Sequence, residues 1–448
     1  MKYKIMKFKD KEYETLLSSF RNGRKATANL RHLKHAITVG AQEEIIKWRP
    51  LVGDSNNLED NPFQVIDFFC GCGGMSLGFE ALSRVIPIIE LIGGCDIDKD
   101  ALSTYERNFS APGINMDIRD LVDNETALSM FLKRLPRYDK KRRLILIGCA
   151  PCQGFSSHRK RHWGKDDDHR NTLIGAFASV AMKLNPDCIV MENVPEILSN
   201  KYWKHFKDAQ AIFEQAGYKV SQTIYNAASF GVPQERFRAV IIAMKKRFLL
   251  PEPIFPNPSS YKTVRSAIGM LPPVAPGEVN KEDIFHRSAA HRESTLRTIR
   301  AVPKNGGSRP TGIGPKCLDR VKGFYDVYGR LAWDKPSITI THYARNPASG
   351  RYVHPDQDRG LTVREAALLQ SFPKGFEFLG GFDSIFKQIG EAVPPMFAAA
   401  VASSCLIELI SKEPSVDERE QSITSITDPV SSSFSSVIAG LKMTRNEK

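Results

Sequence analysis

Cys152 stands in "GCAPCQGFSSHRKRH" (148–162), where an apolar run ends in glycine and a basic segment follows. A thiol at the mouth of a strand admits four chemistries. With Cys149 it makes C-x-x-C, a redox spacing, and with Cys70, Cys72 and Cys149 it makes a four-thiolate zinc set. It also reads as an inert buried thiol, or as a nucleophile. Pro151 stiffens the turn, and Gln153 and Ser156 supply polar hydrogen-bonding groups. Arg159, Lys160 and Arg161 favour a thiolate where they lie close in space. Two more segments carry reactive types. "VMENVPEI" (190–197) puts Glu192 and Asn193 after an apolar run, and "FGVPQERFRAVIIA" (230–243) presents Gln234, Arg236 and Arg238 as another run begins. Singly, Glu192 reads as a helix cap and the arginines as surface pairs. Together they gather along one edge of one sheet, where doubly wound sheets hold their ligands.

A glycine loop lies upstream in "VIDFFCGCGGMSLGFE" (65–80). Gly71, Gly73 and Gly74 let the backbone approach a ligand that a β-carbon would exclude. The third glycine of a dinucleotide fingerprint would fall on Ser76, and no G-x-x-x-x-G-K-[ST] occurs. Asp96 follows about twenty residues later, after the next strand, where a carboxylate accepts from both ribose hydroxyls. Asp117 in "NMDIRD" (115–120) adds an acid near another strand end. The set suits an adenosine-containing ligand without a pyrophosphate, and S-adenosylmethionine fits.

The elements that must position these groups alternate. Strands are expected at "VIDFF" (65–69), "LIGGC" (91–95), "LILIG" (144–148), "CIVM" (188–191), "KVSQTIY" (219–225) and "AVIIAM" (239–244). Helical stretches such as "NTLIGAFASVAMKL" (171–184) lie between them. The alternation predicts an α/β fold: a doubly wound, mostly parallel sheet with helices on both faces. The rhythm breaks near residue 250, where "LPEPIFPNPSS" and "LPPVAPGE" open a Gly-, Pro- and Arg-rich region without clear period. "QIGEAVPPMFAAAVASSCLIELI" (388–410) returns to a long helical pattern, with Pro394 and Pro395 suited to a first turn. The division expected is a basic helical extension (1–60), a cofactor and catalytic domain (61–249), a smaller irregular domain (250–384), a C-terminal helix (385–411) completing the catalytic domain, and a disordered tail (412–448). The extension reads equally as a nucleic-acid arm or a solvated helical face.

The chain of 448 residues has a formal charge of +13, a sequence pI of about 9.3 and 42% apolar residues. That balance favours an acidic partner, nucleic acid first. No run of eighteen apolar residues occurs, so no bilayer span and no membrane partner are expected. The first residues are charged, without the apolar stretch of a secretory signal. Eight cysteines spread over the chain argue for reduced thiols in the cytoplasm.

These segments, with "GCDIDKDALSTYERNF", "MDI", "GRLAWDKPSITITHY" and "GRYVHPDQDRGLTVREAALLQSFP", resemble the cytosine-5 DNA methyltransferase family in content and order from about 65 to 405. The resemblance implies a Rossmann-like methyltransferase domain with a target-recognition domain, double-stranded DNA as substrate, S-adenosylmethionine as cofactor and no metal. It implies a monomer, cytoplasmic and near the nucleoid in a bacterium, that is solitary or paired with a restriction endonuclease. Cys152 resembles the nucleophile, Glu192 the group on cytosine N3 and Arg238 a residue holding the ring, with Arg236 supporting that pocket. Phe69, Gly71, Gly73 and Gly74 resemble the cofactor loop. Asp96 and Ile97 fall where the ribose is held, Asp117 and Ile118 where the adenine is held, and Glu391 and Val393 in the last motif. Gln153, Ser156, Arg159, Lys160, Arg161 and Gln234 are expected to meet DNA. Two departures stand out: Glu391 replaces the usual asparagine of G-N-A-V-P-P, and Cys149-Ala150 replaces glycine-proline. An RNA cytosine methyltransferase, a catalytically silent DNA-binding protein and a thiol redox enzyme are the competing readings.

Overall fold

The computed structural model describes residues 30–50, 62–151, 172–198, 203–320 and 326–411. Cys152, Gln153, Ser156, Arg159, Lys160 and Arg161 lie outside these residues, as do most of the expected N-terminal extension and the tail from 412.

Strands β1 (Phe63–Phe68), β2 (Ile89–Asp96), β3 (Gly113–Asn115), β4 (Leu144–Gly148), β5 (Cys188–Asn193), β6 (Lys219–Asn226) and β7 (Phe237–Met244) form one sheet. Its order is β3-β2-β1-β4-β5-β7-β6. Every residue of β1, β4, β5 and β7 is buried, which is why these runs are apolar without alternation. Alternate residues still serve opposite faces. Val65, Ile145, Val190 and Val240 enter one core, and Ile66, Leu146, Ile189 and Ile241 the other. Pairing is parallel from β3 through β5, and β7 runs antiparallel to both β5 and β6.

Helices cover both faces. On the first lie α1 (Leu30–Ile46), α2 (Gly74–Val85) and, from the far end of the chain, α12 (Pro395–Ile410). The second face carries α4 (Glu125–Lys133), α5 (Thr172–Leu184) and α6 (Trp203–Gln215), while α3 (Lys99–Asn108) joins β2 to β3. Helix α1, within the expected N-terminal extension, is docked on the sheet's helical layer rather than presenting only a solvated face. Leu33, Ile37, Ala41 and Ile45 recur at four-residue steps and are all buried against α2 and α12.

The C-terminal stretch is two helices rather than one. Helix α11 (Phe382–Glu391) ends before Pro394, which caps α12 at an extended φ and ψ, and Pro395 occupies its first turn. Phe382–Ile410 is long and apolar enough to cross a membrane by composition, yet 94% of its apolar window is buried, so it is a core element.

Between β7 and α11 the described chain has only short helices: α7 (Val264–Ile268), α8 (Glu293–Arg300), α9 (Cys317–Arg320) and α10 (Val363–Leu369). A small cluster of Ile299, Val302, Val327, Tyr328 and Val353 supports part of this region. Charge-assisted bonds replace a sheet ladder there. The buried Arg330 guanidinium donates to the carbonyl oxygens of Ile299, Val302, His354 and Gln357.

Candidate active site

Strand order reverses between β1 and β4, so the loops leaving their C-terminal ends diverge and open a crevice. The glycine loop leaves β1 there, and "CAPC" leaves β4. Asp96 ends β2, and Glu192 and Asn193 end β5. Because β7 is antiparallel, its beginning reaches this same edge.

Register then dictates the first pair. Glu192 lies opposite Val240, so Arg238, two residues earlier on β7, is its diagonal neighbour on the same face. Arg238 Nε lies 2.9 Å from Glu192 Oε1, and both side chains are about nine-tenths buried. The contact is an ion pair off the hydrogen-bond axis: Glu192 Oε1 has no hydrogen-bond donor among the described residues. A buried carboxylate oxygen without a donor suits a ligand that brings one. Asn193 donates from Nδ2 to Ala150 O at 3.3 Å and ties the loop before Cys152 to the end of β5. The sequence placed Asn193 at the strand mouth but gave it no task.

Burial, followed by the charge of Glu192, pushes the Cys149 thiol well above the usual thiol range. The first cysteine of a C-x-x-C pair attacks as a thiolate and needs a lowered value, so this weighs against the redox reading.

The glycine loop forms the neighbouring half. Phe69 has φ 59°, a strained value for a non-glycine residue at the strand exit. Gly71 has φ +52°, and a β-carbon there would meet nothing within 4 Å, so the loop has open space beside it. Gly73 caps α2 in the left-handed region. Gly74 meets the last motif: a β-carbon would lie 2.3 Å from Val393 O. Asp96 holds this loop, its two oxygens accepting from Gly71 N and Asp98 N at 2.8 Å each. Burial raises the Asp96 carboxyl despite those bonds. Beside it Ile97 is 67% exposed, an apolar side chain that suits the face of a flat ligand. Ile118 is buried, and Asp117 caps the turn that follows while its carboxylate engages Arg119. Glu391 is exposed at the end of α11, near enough to Cys72 and Lys387 to act on their charge states. Lys387 pairs with Asp98 at 2.5 Å.

Two assignments change. Gln234, expected to meet DNA, is fully buried. Its carboxamide accepts from Ile340 N at 2.8 Å and donates to Gln370 Oε1 at 2.5 Å, fastening the irregular region to the sheet. Arg236, expected to support the catalytic pocket, is buried and donates to the carbonyl oxygens of Ile340, Gly390 and Ala392 at 3.0–3.1 Å. It is a positioning residue for the last motif.

Asp67 was not singled out, although an acid inside "VIDFF" is itself a signal. It is fully buried, Ser76 Oγ donates to its Oδ2 at 2.6 Å, and burial pushes its carboxyl up to about 8.

Residues 63–406 match the family described as C-5 cytosine-specific DNA methylase. The chain belongs to that family. The methylase is 33% identical over 350 residues to the Type II methylase M.HgiDII of Herpetosiphon aurantiacus, covering 76% of this chain and 94% of the relative. It is 36% identical over 345 residues to the Type II methyltransferase M1.HphI of Haemophilus parahaemolyticus, covering 76% and 86%. Its Rossmann-like fold is shared with a prophage-encoded E. coli protein described as a DNA modification methyltransferase, at TM-score 0.59 and 23% identity over 78% of this chain and 99% of that one.

Proposed function

We propose that this methylase methylates carbon 5 of a cytosine flipped out of a specific duplex DNA sequence, through a transient bond from Cys152 to carbon 6. The observation that carries the reading is the buried Glu192–Arg238 pair, whose Oε1 takes no hydrogen bond from the described residues, tied through Asn193 and Ala150 to the loop that leads to Cys152.

Carbon 5 of cytosine is a poor nucleophile. A Cys152 thiolate adding to carbon 6 pushes electron density onto carbon 5. Glu192, sharing a proton with N3, offsets the charge that develops on the ring, and Arg238 orients Glu192. Loss of the carbon-5 proton to a base and expulsion of the thiolate restore the ring and the enzyme. A stacked base is out of reach of such a pocket, so the cytosine leaves the duplex. Bound S-adenosylmethionine supplies the electrophilic methyl group. The open space at Gly71, the Asp96 carboxylate and exposed Ile97 fit it, with Phe69, Gly73, Gly74, Asp117, Ile118, Glu391 and Val393 around them.

The division of labour follows. Residues 61–249 and 385–411 act as the catalytic domain, and 250–384 read the target. Arg159, Lys160 and Arg161, with Gln153 and Ser156, are assigned to contacts with the DNA on the strength of their charge and polarity. The names of the relatives and the charge of +13 support work on DNA; the same reading has the chain act as a monomer in the cytoplasm, solitary or beside a restriction endonuclease. Methylation of mixed DNA and RNA pools with labelled cofactor, mapped at base resolution, tests this. Label confined to cytosines in one duplex motif is expected; label in RNA alone, or none, overturns it.

A further inference from the structure

Helix α1 lies outside the span that matches the family, which begins at residue 63. Its apolar row explains why it docks. A second row does not fit that explanation: Lys34, Thr38 and Gln42, also at four-residue steps, face inward. Thr38 is 4% exposed and Gln42 9%. Polar side chains on a docking face are costly unless each finds partners. Lys34 pairs with Glu408 of α12 at 2.5 Å, and Thr38 bonds back to Lys34 O at 2.7 Å. Gln42 reaches further. Its Nε2 donates to Phe230 O at 2.7 Å and to Met396 O at 3.0 Å. Both acceptors are carbonyl oxygens, so they fix which end of the carboxamide is nitrogen.

The two carbonyls belong to the two flanks of the site. Phe230 ends the turn Ala227–Phe230, four residues before the segment that carries Gln234, Arg236 and Arg238. Met396 lies in the first turn of α12, three residues after Val393, whose carbonyl faces Gly74 of the cofactor loop. Arg236 and Gln370 hold the same wall by bonds to Ala392 O at 3.1 Å and 2.6 Å. Gln42 joins this set from outside the family core and bridges both flanks with one nitrogen.

We propose that Gln42 is a positioning residue for the cofactor site, fixing the start of α12 against the 227–230 turn and so setting the Ala392–Val393 wall behind the glycine loop. The proposal rests on the cofactor reading above. It acts through backbone placement and touches no reacting atom.

Gln42→Met keeps length and apolar bulk but removes both donors; Gln42→Lys keeps a donor nitrogen. Binding of S-adenosylmethionine to the full chain is measured by calorimetry, and binding of duplex DNA by fluorescence anisotropy. Loss of two bonds is expected to raise the cofactor Kd of Gln42→Met about ten-fold while DNA affinity stays within about two-fold, and Gln42→Lys is expected to recover to within about three-fold of wild type. An unchanged cofactor Kd in Gln42→Met overturns the proposal. So does a parallel fall in cofactor affinity, DNA affinity and melting temperature, which marks general loosening, and so does failure of Gln42→Lys to recover. Wild-type chain that binds no S-adenosylmethionine removes the cofactor reading itself, a result distinct from any of these.

Discussion

Glu192 and Arg238 sit diagonally across two antiparallel strands, with Oε1 2.9 Å from Nε and both side chains nearly out of water. A parallel β7 would carry Arg238 to the opposite edge of the sheet. The reversal of one strand therefore assembles the pair.

Glu192→Gln keeps the shape but loses the exchangeable proton. Single-turnover methylation is expected to slow about 10²–10³-fold, with DNA affinity near wild type. A loss below about three-fold removes Glu192 from the chemistry.

Oligonucleotides carrying 5-fluorocytosine at the mapped target trap an adduct whose carbon-5 substituent cannot leave as a proton. Wild type is expected to give a denaturation-resistant complex, and Cys152→Ala none. The same complex after the substitution assigns the bond to another residue.

Asp96→Asn removes the charge and leaves one acceptor oxygen where Gly71 N and Asp98 N now have two. The Kd for S-adenosylmethionine is expected to rise at least about ten-fold while duplex DNA binding stays near wild type. Calorimetry beside DNA anisotropy separates the two, and equal losses would assign Asp96 to the fold in general.

The two arginines of "QERFR" should separate stability from activity. Arg236→Met removes one donor from each of three carbonyls, of which Ala392 O keeps Gln370, and is expected to cost about 3 kcal/mol in denaturant unfolding. Arg238→Met is expected to change stability less and turnover more. The reverse pattern would exchange their roles.

Asp67 links stability to pH. Its carboxyl is raised to about 8 in the folded chain, above its unfolded value near 3.8. The native state therefore holds a proton that the unfolded chain has released, and stability falls as pH rises from about 4 to about 8, then levels. Asp67→Asn cannot ionise. Melting temperatures from pH 5 to 9 should show wild type declining relative to this variant up to about pH 8. Parallel curves would sink the assignment.

Most of the frame was legible because buried parallel strands are short apolar runs, and each of these ends in a residue whose type betrays the site edge. β3 was expected only as a strand end near Asp117 and not as a run: Gly-Ile-Asn has no pattern of its own and pairs only beside β2. The apolar row of α1 was hidden among Lys and Arg, since charge draws notice before a four-residue step does. Gln234 and Arg236 misled for another reason. A motif fixes residue type and order but not direction, and both turn inward to backbone groups supplied more than a hundred residues later. Asn193 and Gln42 do their bonding through carbonyls of distant segments, which no local pattern announces.

Val393 O stands where a side chain on Gly74 would have to go, so the loop that follows the first strand takes its second wall from the last described turn of chain. A ribosome must deliver more than three hundred further residues before that wall exists. Prematurely terminated translation products would carry every residue of the glycine loop and still lack its backing.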